Sequence, residues 1–505
     1  MLKFGADIGY QGPHHTRQTP NAVSARMRPE ILRQMVQKEV SFGRTRGPSF
    51  KPPFPTFICS SLGLVPEKPD GFRSILDLSQ PSDDSVNYFI DKDEFSLTYC
   101  NIDSAVAILN RLGEGALMAK SDVKSAFRIV PVRTADHHLL VYKLANSYYY
   151  DVVLPFGCRS SPYLFCQISE AVRWIVSDLQ RHKDILVYLD DFWMAAPAHN
   201  NRCQQVLAQL QTTCEELGVP LAPGKTEGPA TSLAFLGIWL NTVDQTLSLP
   251  EGKKEEIMES LHGWKSKSSC SKLELQSLIG SLMFASKCVP ASRLFIRRLI
   301  QQLTDLRRDE HDILLNDDFQ LDLQWWLTFL PKWNGRASFL SNDWLSPDVT
   351  HLYTDASGTL GLGAYFEGEW FQSRWPQWIM QRKPCIEYLE MIPVLLAMMV
   401  WSQSFTNRKI LFHCDNMGVV QAWEKLGSTN KGVLALMRRM VGVAAQFNFT
   451  IAIKHISGVK NDIADALSRF QVSRFRQLVP GANPLPVAFP PILEELQEEY
   501  PAFRN

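Results

Sequence analysis

Apolar and polar positions follow two different periods along this chain, and the change of period divides it. Residues 1–50 are polar and turn-rich, with a helix expected over about 29–40, where Pro29 and Glu30 suit a first turn. Pro52, Pro53, Pro55, Pro66 and Pro69 keep 51–69 extended around a short strand, Thr56 to Cys59. Over 70–240 short strands mix with helices. Gly71 to Leu78 alternates as a strand, and Ala119 to Val132 contains another that carries an acid. Pro162 to Leu179 reads as a helix with proline at its start. Cys203 to Leu217 reads as a second, with Val206, Leu210, Cys214 and Leu217 on one stripe and Gly218 as its stop. Residues 251–330 have helical spacing and no clear strand.

The stretch 331–348, with Pro331, Asn334-Gly335 and Pro347, reads as a linker. Beyond it the spacing predicts strands at about 350–355, 361–367 and 369–374 and an apolar helix near 388–403. A strand at 409–414, helices at 417–426 and 431–447, a strand at 449–455 and a short helix at 462–469 complete an α/β unit. The tail from 471 is rich in proline and charge and is expected to be a linker or a disordered end. No internal repeat is visible.

Length and composition narrow this picture only a little. A chain of 505 residues exceeds what one core usually serves, so two to four domains are expected. The 52 basic and 52 acidic residues cancel, which argues against a basic arm or a nonspecific coat but leaves a basic groove open. The 10 cysteines form no C-x-x-C pair and read as reduced structural thiols. Lys3 and Asp7 interrupt any signal sequence, and the longest apolar run, Met391 to Trp401, is too short to cross a bilayer. An intracellular protein, cytoplasmic or nuclear, is expected, with no membrane partner.

Candidate chemistry gathers at acids on strand ends. Ile185 to Ala195 reads as a hairpin whose two apolar, β-forming runs flank Asp190 and Asp191. Alone, such a pair is an ordinary turn. An upstream strand ends in Asp122, and oxygen ligands converging from different elements are what a pair of divalent ions requires. Between them, Leu154-Pro155-Phe156-Gly157-Cys158-Arg159-Ser160-Ser161-Pro162 is a turn entering a helix, whose free N–H groups and small residues would let a base pair or phosphate approach. The second unit repeats this logic. Asp355 and Asp415 end strands, Glu390 lies in the apolar helix, and Asp465 lies in the last helix, after His455. Four such acids can surround a metal pair that activates water against a phosphodiester.

Arg73 on its strand, Asp122, the Leu-Pro-Phe-Gly turn, Tyr188-Leu189-Asp190-Asp191, Pro223-Gly224-Lys225 and Phe235-Leu236-Gly237, in this order, resemble a reverse transcriptase. The flavour is most like DIRS-type retrotransposons, which carry a tyrosine recombinase. Residues 346–470 resemble a ribonuclease H domain. The resemblance implies an α+β right-hand polymerase with fingers, palm and thumb, followed by an α/β ribonuclease H-like domain with a mixed five-stranded sheet. Its parts would be an N-terminal extension (1–47), fingers and palm (48–241), helical thumb or connection with linker (242–345), nuclease (346–470) and tail (471–505).

It further implies that Asp122, Asp190 and Asp191, with the Val123 carbonyl, bind two Mg2+ or Mn2+ ions. Asp191 would ligate one ion less directly or support the site. Arg73, with Lys68, would hold the triphosphate, and Phe127 would exclude a 2′-hydroxyl. Pro155, Phe156 and Gly157 would line the nucleotide and template pocket, Lys225 would donate a proton to pyrophosphate or be an exposed turn lysine, and Phe235, Leu236 and Gly237 would grip the primer. Arg293, Arg297 and Arg298 recur at helical spacing and face either phosphates or solvent. In the nuclease, Asp355, Glu390, Asp415 and Asp465 would hold a second ion pair, with His455 aiding proton transfer or product release. Glu387 and Asp462 are the alternatives to Glu390 and Asp465, and Pro393 implies a helix beginning close to Glu390.

The partners implied are an RNA template, a DNA primer, their hybrid and deoxynucleoside triphosphates, with a recombinase or coat protein possible on other chains. A decayed, non-catalytic nucleic-acid-binding copy, or a nuclease with an inert polymerase half, are the rival expectations.

Overall fold

A computed structural model describes residues 3–67, 71–289, 292–304, 312–333, 335–339, 344 and 349–499. The chain forms two compact units, Met1–Leu233 and Ala234–Asn505. The boundary falls before Phe235, eight residues ahead of the polymerase–thumb boundary read from sequence. Lys68, Asn334 and Pro347 lie outside the described residues.

The first unit is built around a four-stranded sheet ordered Glu227–Ala230, Leu117–Asp122, Asp191–Ala196, Ile185–Tyr188. The last two strands are the expected hairpin, with Tyr188 opposite Asp191. Its closing loop is Leu189-Asp190, and Leu189 adopts φ +55°. Leu117–Asp122 runs antiparallel along the other side of Asp191–Ala196. Phe192 through Ala196 are all fully buried, as expected of a strand with neighbours on both sides. The helices Ser161–Gln180 and Arg202–Glu216 pack against each other and on this sheet. Their apolar stripes (Leu164, Ile168, Val172, Val176; Cys203, Val206, Leu210, Cys214) enter one core.

A second sheet in this unit contains Ile58–Glu67, Val141–Leu144, Ser147–Asp151 and Thr45–Ser49, with Gly71–Asp77 paired to Ile58–Glu67. The expected strand at Thr56 to Cys59 is therefore much longer. Leu62 and Leu64 alternate into the core, and Gly71–Asp77 pairs with it from Ser61 through Glu67, a partner that local sequence does not announce.

The second unit begins with strands and then the helices Lys253–Trp264, Lys272–Ala285, Arg297–Thr304 and Asp317–Phe329. The region read as free of strands also holds a short pair, Ser269–Cys270 with Ile313–Leu314. Its sheet of five strands is ordered Glu369–Arg374, Gly361–Phe366, Val349–Ala356, Lys409–Cys414, Thr450–His455. The first three pair antiparallel and the last two join in parallel, giving the expected mixed sheet. The helix Ile386–Val400 lies on this sheet and packs against Lys431–Phe447. Among the described residues no helix is long and apolar enough to cross a membrane.

Two expectations fail here. The helix carrying Glu390 starts at Ile386, and Pro393 lies inside it. Interior proline leaves one carbonyl without its helical donor and costs about 3 kcal/mol. Every residue from Tyr388 to Met398 is buried, so tertiary packing opposes that penalty. The tail is not simply an unstructured end: Val472–Leu478 and Ile492–Glu499 are helices. Phe475 is fully buried against Trp370, Ala466 and Leu467, and Ile492, Leu493 and Leu496 are buried as well. Proline-rich composition masked a helix that docks through one aromatic anchor.

Candidate active sites

Strand register assembles the first set of acids. Asp122 is the last residue of its strand and lies opposite Asp191, the first of its own. Asp190 occupies the loop between, and its carbonyl accepts the Val123 N–H at 3.0 Å. Leu189 in the left-handed region is backbone strain at a site, about 1 kcal/mol for a non-glycine residue. Burial, and after it repulsion by Asp190 and Asp122, lifts the Asp191 carboxyl to about 6. Asp190 is raised too, first by burial and then by Asp122. Lys225 Nζ donates to Asp122 Oδ2 at 3.0 Å, and this bond raises the lysine. The lysine is exposed, 64 % of its side chain, yet its ammonium reaches the acids.

The residues expected to meet a nucleotide lie on the same unit. Arg73 lies 5.2 Å from the centre of the Phe156 ring. Phe127 meets Phe156 at 5.3 Å and Phe165 at 5.7 Å, after a turn in which Ser125 and Ala126 have φ +63° and +22°. The Leu-Pro-Phe-Gly turn is fastened to the Arg73 strand, because Leu76 N donates to the Phe156 carbonyl at 3.3 Å. Gly157 has φ +109°, and a Cβ there would lie 2.1 Å from the Leu76 carbonyl oxygen, so only glycine fits. The Ser161 hydroxyl donates to the Pro155 carbonyl at 2.9 Å. Asn87, which the sequence did not single out, clamps the turn through bonds of 2.8 Å to the Gly157 carbonyl and the Arg159 N–H. Phe235, Leu236 and Gly237 belong to the second unit, where Leu236 and Gly237 have φ +48° and +76°.

In the second unit Asp355 and Glu390 are each only 4 % exposed. Glu390, Cys414 and Asp415 bring one ligand atom each within 4.8 Å of one another, the only such group among the described residues. The three acids of the first unit are neighbours without closing to that span. Burial first, then Asp355 and Asp415, pushes Glu390 up to about 10, and burial pushes Asp355 to about 6. A cluster of buried acids that repel one another suits hard divalent cations. Burial raises the Cys414 thiol, which lies 4.0 Å from Glu390 Oε2 and is the soft donor in an otherwise carboxylate group.

Glu387 lies beside Gly418 at the start of helix Met417–Glu424, whereas Glu390 is the acid grouped with Asp415. The loop after His455 returns to it, because a Cβ on Gly458 would approach Asp415 Oδ2 to 3.2 Å. His455 itself is exposed at its strand end.

Asp465 lies outside the group of Glu390, Cys414 and Asp415 but is near enough to raise Asp355, and arginines hold its carboxylate. Its Oδ1 accepts from Arg469 at 2.5 Å and its Oδ2 from Arg474 at 2.9 Å, while Arg474 also reaches Asp462 at 2.7 Å. The Ser468 hydroxyl donates to Asp355. Arg474 was invisible to sequence reasoning because it lies in the tail. The arginine row divides: Arg293 and Arg297 are exposed, whereas Arg298 pairs with Asp318 at 3.1 Å and with buried Asp322 at 3.7 Å. Arg298 is structural.

Residues 66–240 match the family described as reverse transcriptase (RNA-dependent DNA polymerase). The Gag-Pro-Pol polyprotein of Human T-cell leukemia virus 3 (strain 2026ND) is 28% identical over 200 residues, 38% of this chain and 13% of that protein. Polyprotein P3 of Commelina yellow mottle virus is 25% identical over 185 residues, 34% of this chain and 9% of that protein. A polyprotein of Cassava vein mosaic virus is 22% identical over 388 residues, 72% of this chain and 54% of that protein. The chain thus spans a fraction of each relative's length. Among solved structures, the foamy viral protease-reverse transcriptase with double-stranded DNA is similar at a TM-score of 0.51 and 16% identity, covering 90% of this chain and 73% of that one. The same protein with an RNA/DNA hybrid gives 0.50 and 15%, covering 88% and 57%. The fold is that of a polymerase followed by further α/β structure, and residues 66–240 are similar to the reverse transcriptase domains of retroelement polyproteins.

Proposed function

We propose that this chain is an RNA-directed DNA polymerase that extends a DNA primer on an RNA or DNA template, with a nuclease half that hydrolyses the RNA strand of the hybrid. The observation that carries the reading is the register that sets Asp122 opposite Asp191, with Asp190 in the adjoining loop and Lys225 on Asp122. Asp122, Asp190 and Asp191, with the Val123 carbonyl, would hold two Mg2+ or Mn2+ ions. When bound, such a pair lowers the pKa of a primer 3′-hydroxyl and neutralises leaving pyrophosphate.

The chain's own groups bind and orient. Arg73, with Lys68, holds the triphosphate of a deoxynucleotide, and the Phe127 ring supports the sugar. Lys225 keeps a proton near the phosphates. Pro155, Phe156 and Gly157 shape the nucleotide and template pocket, and Phe235, Leu236 and Gly237 position the primer end. In the nuclease, Asp355, Glu390, Asp415 and Asp465 hold the ions and His455 moves a proton or eases product release. The polymerase spans 48–241, a thumb or connection follows to 345, and the nuclease spans 346–470. The setting we propose is a retrotransposon of the DIRS type, acting inside the cell, with any recombinase or coat protein on other chains.

Asp190→Asn separates this reading from its rivals. Primer extension should vanish while cleavage of an RNA–DNA hybrid persists, since the two acid sets lie in different units. Wild-type protein that extends no primer on RNA with Mg2+ present would falsify the polymerase reading, and loss of both activities in the variant would contradict two independent sites.

A further inference from the structure

A cavity of about 390 Å³ in the first unit is lined in part by two residues already given to the nucleotide, Arg73 and Phe156, and by Lys124. Its opposite wall is the helix Pro29–Ser41 and the turn after it, through Glu39, Phe42 and Arg44. That wall precedes the family-matched residues 66–240. Five cations and two carboxylates line the cavity. Both carboxylates are bound to the buried Arg128: Glu39 Oε2 at 2.8 Å, and Asp151 at 2.6 Å through Oδ2 and 3.1 Å through Oδ1. Asp151 also accepts from Thr45 at 2.6 Å. Both acids bind Arg128, and the other four cations leave the lining net positive.

Arg44 is placed differently from Arg128. It reaches only the other oxygen of Glu39, at 3.6 Å, and lies 5.0 Å from the Phe42 ring centre with its side chain 20 % exposed. A long pair plus a stacked, planar guanidinium leaves its donors able to take a charged oxygen from the cavity. The volume lies within the range of small-ligand sites.

We propose that the helix Pro29–Ser41 closes the nucleotide site, and that Arg44 contacts the terminal phosphates of the incoming nucleoside triphosphate from the side opposite Arg73. This rests on the polymerase reading for the identity of the nucleotide, but not for the polyphosphate itself. The Glu39–Arg128–Asp151 network is the frame that holds this wall to the turn bearing Phe127.

The test is primer extension and direct calorimetric binding of inorganic tripolyphosphate, measured on wild type, Arg44→Ala, Arg44→Lys and, as control on the outer face of the same helix, Arg33→Ala. Arg44→Ala is expected to raise KM for the deoxynucleotide about tenfold with kcat nearly unchanged, and to weaken tripolyphosphate binding to a similar degree. Arg44→Lys should keep part of both, and Arg33→Ala should match wild type. Unchanged KM and unchanged tripolyphosphate affinity in Arg44→Ala and Arg44→Lys would overturn the proposal. Arg44-dependent tripolyphosphate binding in a protein that extends no primer would refute the polymerase reading and leave the anion-binding wall standing. Should Arg44→Ala fail to fold, Arg44→Lys decides by the same two measurements.

Discussion

Asp122 and Asp191 stand directly opposite each other across two antiparallel strands, a register that puts like charges side by side. Such a pair is destabilising unless something neutralises it. Burial and the two neighbouring acids raise Asp191 to about 6 in the folded chain, above the usual 3.9. The folded state then binds more protons than the unfolded one between those values. The stabilisation that this proton brings is complete below about pH 4 and lost as pH rises through 6. Asp191→Asn should therefore raise the melting temperature of metal-free protein more at pH 7.5 than at pH 5. Magnesium should raise the wild-type melting temperature at pH 7.5 and do so less in the variant. Melting curves that show the same gain at both pH values would contradict this account.

Phe127 leans on Phe156 and Phe165 from a turn whose backbone is left-handed at Ser125 and Ala126. The ring is thus fixed from two sides, and its position, unlike that of a loose loop residue, can set a size limit under a sugar. Phe127→Val removes ring volume without adding a polar group. The preference for deoxynucleotides over ribonucleotides, as a ratio of kcat/KM values, should fall by roughly 10- to 200-fold. A variant that still extends primers with an unchanged ratio would exclude Phe127 as the gate.

Both acid sets were legible because their signals are local. Strand alternation places Asp122, Asp355 and Asp415 at strand ends, and turn chemistry places Asp190 at a hairpin tip, without any tertiary information. Gly157 was readable as part of a turn, yet its necessity comes from the Leu76 carbonyl, a contact between segments far apart in sequence. The same limit hid Asn87, which clamps that turn from another loop. Arg298 shows the converse: helical spacing grouped it with Arg293 and Arg297, but a buried Asp322 on a different helix claims it. Pro393 misled because proline rules describe an isolated helix, and this one is enclosed by its neighbours.

The tail is where local reading failed most and where the nuclease can be tested apart from its acids. Phe475 is buried among Trp370, 5.0 Å away, Tyr365, 6.2 Å away, and Leu467, so helix Val472–Leu478 is anchored by one ring. Phe475→Ala should cost about 3–5 kcal/mol of local stability, read as faster hydrogen exchange over 462–478. Arg474, held in place by that anchor, spans Asp462 and Asp465 with its side chain 41 % exposed. Pairs this exposed contribute about 1 kcal/mol or less, so Arg474→Ala should melt close to wild type. Its effect should appear instead as a loss of orientation at Asp465, about 10- to 100-fold in hybrid cleavage and in divalent-ion affinity measured by calorimetry. Primer extension should be untouched. Cleavage and ion affinity at wild-type levels in a folded Arg474→Ala protein would reduce this arginine to a surface ion pair, and the tail to packing alone.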